Sequence, residues 1–212
     1  MVMRLRRLRQ VPARTACFAL LAGLLAPSLA RGQDRYEVVP HQIGPRWHLW
    51  VSEGANDVLS GNQSYWGNRF RLGGDVQLGD DHRWILGITV LDFISSGEAT
   101  VSVGGISRAA IDFSAGAFIV PNALYLIYSL HLEDVRGSRI SGGVAAVGQE
   151  VALGYRFFDH RQISLAAEAS YLYVPSVSTS VIDVPTGVPA LAVFPSCDVI
   201  TLALKIGYNF LG

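Results

Sequence analysis

The end of the chain constrains the fold more than any other segment. Ile200, Leu202, Leu204, Ile206, Tyr208 and Phe210 recur at every second position, with Thr201, Ala203, Lys205, Gly207 and Asn209 between them. Successive side chains of an extended strand point to opposite faces, so this segment is a strand with one apolar face and one small or polar face. The same alternation recurs upstream. Ile163, Leu165, Ala167, Ala169, Tyr171 and Tyr173 alternate with Gln162, Ser164, Ala166, Glu168 and Ser170, and Val151, Leu153, Tyr155 and Phe157 with Glu150, Ala152, Gly154 and Arg156. Leu124 to Leu132 and Ile111 to Ile119 give two further strands, and Phe70 to Leu78 another. The segment 83–93 is apolar on both faces, with Trp84, Leu86, Ile88 and Val90 taken as its apolar face. A first strand over about 43–53 sets Trp47, Leu49 and Val51 against His48, Trp50 and Ser52.

These eight strands are joined by two kinds of connection. Residues 79–83, 120–123 and 158–162 are short and rich in turn formers. Residues 54–68, 94–108, 134–147 and 174–198 are long, and long and short alternate strictly. With an even number of strands, all short turns then fall at one end. The fold class expected is all-β: a closed antiparallel eight-stranded up-and-down transmembrane β-barrel with short inner turns and long outer loops.

Alternation does not say which face points out, because a soluble carrier barrel alternates too. The composition of the polar face decides. A soluble barrel displays Lys and Glu along its exterior, whereas this face is mostly Gly, Ala, Ser and Thr with scattered charges. Small residues suit the inside of a barrel that eight strands close tightly. The charges on that face balance: Arg69, Arg71, Arg156 and Lys205 against Asp75, Asp112, Glu150 and Glu168. Such balance is what a closed interior demands, since an unpaired buried charge is costly. These eight residues are the expected charge network of the lumen. Trp84, Phe157, Tyr208 and Phe210 would form an aromatic girdle at the short-turn end, and Phe93, Tyr171 and Tyr173 one at the other.

The N-terminus reads as a secretory signal peptide. Arg4, Arg6, Arg7, Arg9 and Arg14 precede an apolar stretch ending in Ser28-Leu29-Ala30, and cleavage is expected after Ala30, leaving the barrel as residues 31–212. Its loss removes five of 17 basic residues and no acid, so the remainder carries about −5, which argues against a nucleic-acid partner. Cys17 lies in the signal, so Cys197 alone remains and no internal disulfide forms. His41, His48, His82, His131 and His160 are scattered without metal-ligand spacing. No metal or cofactor is expected.

Taken together, the signal peptide, the eight alternating segments and a last strand "VITLALKIGYNF" resemble the small outer-membrane barrels of the OmpA-barrel and OmpX kind. The resemblance implies an outer-membrane location and contact with outer-membrane lipid and lipopolysaccharide. It also implies that Phe210, with Leu202, Leu204, Ile206 and Tyr208 before it, is read by the barrel-assembly machinery. Some barrels of this fold are lipid A deacylases with a His-x-Ser order followed by Asn. Here Ser129 and His131 share one face in the reverse order, with Glu150 on the next strand. Their inward face favours polar lining over a triad. The loop 174–198 has four prolines and almost no charge, so it is a candidate contact surface for an apolar ligand or a protein. The reading is a non-enzymatic barrel with a structural, surface-contact or narrow-passage role. A lipid A hydrolase and a soluble periplasmic carrier of an apolar ligand are the alternatives.

Overall fold

The computed structural model describes residues 44–79, 81–160, 162–182 and 189–210. The expected signal peptide and its cleavage site lie outside them. The strands are β1 (Arg46–Ser60), β2 (Gln63–Leu78), β3 (Trp84–Ser96), β4 (Ala99–Thr100), β5 (Gly104–Val120), β6 (Leu124–Gly137), β7 (Gly143–His160), β8 (Ile163–Val174), β9 (Val177–Ile182), β10 (Pro189–Phe194) and β11 (Cys197–Phe210). Eight of them pair in the order β3-β2-β1-β11-β8-β7-β6-β5, and β5 closes on β3. Every neighbouring pair is antiparallel. β9 and β10 form a separate hairpin, and β4 adds two residues to the edge of β5.

The pairing also gives the tilt of the strands. From Leu124 on β6, partners lead in turn to Tyr155, Ala167, Leu204, Glu53, Phe70, Phe93, Ala109 and Asp134, so one circuit climbs ten residues up β6. With eight strands ~4.8 Å apart and a rise of ~3.3 Å per residue, this stagger tilts the strands by about 40°. At that tilt ten residues climb about 25 Å, the height of the apolar band on an outer-membrane barrel.

The apolar set faces outward and the polar set inward. On β11, Leu202, Leu204, Ile206, Tyr208 and Phe210 are exposed while Thr201, Ala203, Lys205 and Asn209 are buried. On β3, Trp84, Leu86, Ile88 and Val90 are exposed. The residues of both expected girdles are exposed as well, joined at the short-turn end by Trp47. No water-soluble barrel leaves such a continuous apolar surface bare.

The long loops are shorter than expected. β1 and β2 meet through Gly61 and Asn62 alone, with Gly61 at φ +60°. The connection expected over 134–147 shrinks to residues 138–142, and that over 94–108 to short turns around β4. The reason is an inversion of the pattern. Above the belt, Val58, Ile106, Val135 and Val174 point inward and are buried, while Ser107 and Arg136 point outward. In lipid the outside must be apolar, and in water the inside must be. A strand that crosses from one solvent to the other shifts its apolar set by one residue. The shift resembles the end of a strand when only one phase of alternation is sought.

Within 174–198, the paired strands β9 and β10 therefore form a structured cap where an irregular loop was expected. Ala192 and Phe194 of β10 are buried in one cluster with Val58, Ile94, Val103, Leu172 and Cys197. Burial pushes the Cys197 thiol up to about 12, so it is inert in the folded protein.

Candidate functional site

Between the apolar cap and the short-turn end, the interior combines a network of charged groups with a smaller apolar cluster of Ile85, Phe118, Tyr125, Ile127, Ala152 and Ala166. The eight residues read as an inner network are all buried, but they are not the whole set. The buried charged groups among the described residues are seven carboxylates (Asp75, Asp92, Glu98, Asp112, Glu133, Glu150 and Glu168) and five cations (Arg69, Arg71, Arg108, Arg156 and Lys205). His48 and His131 are buried among them.

Arg69 lies at the centre, fully buried. Its Nη2 donates to Asp92 at 2.5 Å and its Nη1 to Glu150 at 2.6 Å. Arg71 donates to Glu168 and, through Nε, to Ser52 at 3.2 Å. The Tyr125 hydroxyl donates to Glu168 at 3.1 Å, and Lys205 Nζ lies 3.9 Å from the same carboxylate and 3.9 Å from the Trp50 ring centroid. His131 sits between Glu150, 2.8 Å from Nε2, and Asp112, 2.6 Å from Nδ1. The His48 ring lies 3.0 Å from Asp75 through Nδ1 and 2.9 Å from the Ser164 hydroxyl through Nε2.

Ser129, His131 and Glu150 thus share a neighbourhood but not a triad. Glu150 takes Nε2 of His131, and Asp112 and Asp92 lie 2.6 and 3.5 Å from Nδ1, so carboxylates and not Ser129 flank the ring nitrogens. Asp92, Asp112 and His131 also have ligand-type atoms within 4.8 Å of one another. The positive charge there is supplied by Arg69.

Asp92 was invisible to strict alternation, which from Trp84 would carry it to the outer face. A β-bulge intervenes: Leu72 pairs with Leu91 and Gly73 with Thr89, leaving Val90 unpaired. Val90 and Leu91 are both exposed, and Asp92 returns to the inside. Glu98, Arg108 and Glu133 were missed for another reason. They lie at the edge of the inverted upper zone, where Arg108 meets Glu98 at 3.1 Å and Glu133 at 3.7 Å.

Two interior voids beside the network measure about 10 and 20 Å³, room for about one water molecule each. Close approach is seen at Gly154, where an added Cβ would collide with the Tyr125 ring, and at Gly207, where it would collide with His48.

At the short-turn end, Asp159 clamps three strands. It accepts from Arg46 at 2.8 Å, Arg156 at 3.1 Å and Asn209 at 3.1 Å. Burial alone would raise the Asp159 carboxyl, but Arg156 and Arg46 outweigh it and hold it below the usual carboxylate range. A depressed pKa in the folded state contributes stability above the unfolded value of about 3.9, and that contribution is lost as pH falls through the folded value. Asp159→Asn is expected to cost about 1–3 kcal/mol at neutral pH. Urea unfolding at pH 7 and pH 3 should show a smaller loss on acidification in the variant than in the wild type; equal losses would contradict the assignment.

Neither a protein-family model nor a curated protein matches the chain. Solved structures do. The chain is similar to Neisserial surface protein A, with a TM-score of 0.59 and 14% identity over 79% of this chain and 99% of that one. The fold is that of the small eight-stranded outer-membrane barrels. Weaker likenesses to barrels of the same kind are Ail, the attachment invasion locus protein of Yersinia pestis (TM-score 0.44, 13% identity, 79% of this chain and 100% of that one), and OprG of Pseudomonas aeruginosa (TM-score 0.41, 10% identity, 81% and 98%).

Proposed function

We propose that this protein is a non-enzymatic, non-conducting barrel of the outer membrane that presents its capped outer end to the surroundings. The observation that carries this reading is the filled interior: a buried ion network below, an apolar cap above, and voids of only about 10 and 20 Å³ beside the network. An ion crossing it would have to break fully desolvated pairs such as Arg69 with Glu150. Wide channels are built from more strands. The cap adds exposed apolar side chains at the rim, Leu191 and Val193 on β10, which suit contact with lipopolysaccharide or another protein. The last strand presents its alternate apolar residues outward as an assembly signal would.

The test is ion conductance of the refolded protein in planar bilayers. The expected trace stays at the baseline of the empty bilayer at neutral pH. Discrete openings of the wild type would overturn the sealed reading. The enzymatic reading is disfavoured by the burial of Ser129 and His131. Lipid A from cells making the wild-type protein is therefore expected to be identical to that from cells lacking it.

A further inference from the structure

One outward residue of the belt does not belong in lipid. Glu53 is exposed on β1, and its partners across the sheet are Leu204 on β11 and Phe70 on β2, both exposed. Its depth follows from the pairing circuit. Leu124 begins β6 at the lower edge, and Asp134 is the first outward charge above it on that strand. Glu53 lies four steps from each along the circuit. It therefore stands about 12 Å from either edge of a belt about 25 Å tall. A glutamate side chain is too short to reach headgroups from that depth. An ionisable group held in hydrocarbon points to a function and to a partner.

We propose that Glu53 is the centre of a lateral interface between two copies of this chain in the membrane, on the premise that the barrel spans the bilayer. Copies inserted by one route share one orientation, so the two-fold axis of a dimer runs along the membrane normal. Such an axis brings residues of equal depth together, and Glu53 faces Glu53 of a second copy. A carboxylic acid is suited to meet itself, because each carries one O–H donor and one carbonyl acceptor. Two of them exchange two hydrogen bonds and leave neither group unsatisfied in lipid. Leu72, Phe70, Leu202 and Leu204, exposed on the flanking strands, supply the surrounding apolar contact, and Ala55, next above Glu53 on the same face, lets the surfaces approach.

The test is energy transfer between donor- and acceptor-labelled copies of the full barrel in phosphatidylcholine vesicles, titrated over protein-to-lipid ratio. A heat-dependent gel shift on each sample first establishes that the barrel is inserted and closed, which keeps a failure of folding distinct from a failure to dimerise. Wild type is expected to associate, and Glu53→Leu to associate about 10-fold more weakly, the scale of one or two hydrogen bonds in lipid. Glu53→Gln keeps one donor side and one acceptor side and is expected to associate nearly as well as wild type. A folded wild type that stays monomeric at every density would overturn the proposal. So would a Glu53→Leu variant that pairs equally well. Glu53→Gln as weak as Glu53→Leu would also overturn self-pairing, in favour of a cationic partner.

Discussion

Arg69→Met is expected to lower the stability of the barrel by about 3–5 kcal/mol, because removing one member of a buried ion pair strands the other. Here two are stranded. Arg69 is the bridge between Asp92 on β3 and Glu150 on β7, which are on opposite walls. Without it, Asp92, Asp112 and Glu150 share His131 alone at the middle of the lumen, with Arg71 3.7 Å from Glu150 as the next cation. Methionine fills most of the volume, so the loss is electrostatic, not a cavity. Unfolding in urea from lipid vesicles measures it. Adding Glu150→Gln to Arg69→Met removes one stranded charge and should recover about 1–3 kcal/mol, the usual coupling within one network. Additive losses would show that the two residues act separately.

Phe194→Ala should have an effect of similar size but a different kind. The Phe194 ring is fully buried among Val58, Leu172, Val174 and Val199. Truncating a buried phenylalanine costs about 3–5 kcal/mol. The hairpin β9–β10 pairs with itself and joins the barrel mainly through this cluster. The cap is therefore expected to open while the eight barrel strands stay closed. Protease cutting within 175–196 should rise by about 10²–10³-fold, with the heat-dependent gel shift of the barrel unchanged. A loss of the gel shift would mean that cap and barrel unfold as one unit.

These residues show what a sequence read at period 2 can and cannot reach. Within the belt the alternation is unbroken on β6, β8 and β11, so strand, facing and the inward placement of Glu168 and Lys205 were legible. Where a bulge inserts Val90 on β3, the phase slips by one and Asp92 is lost from view. Where the strands leave the lipid, the phase inverts, and Val58, Ile106 and Val135 look like loop residues although they line the barrel. The lumen charges balanced four against four in sequence, but the slipped and inverted stretches add three buried acids, Asp92, Glu98 and Glu133, and one buried cation, Arg108. Glu53 was passed over because it lies just where the expected first strand ended.

The central claim is that the apolar face of these strands meets lipid and the charged face does not. The direct measurement places single cysteines at Leu204 and at its inward neighbour Ala203, with Cys197 replaced by Ala. Each is labelled with a small environment-sensitive probe before refolding into vesicles, and quenching by brominated acyl chains is recorded. Strong quenching is expected at position 204, and weak quenching or a failure to fold at position 203, where the buried site has no room. Strong quenching at 203 with none at 204, or a protein that folds in buffer without lipid or detergent, would contradict the account.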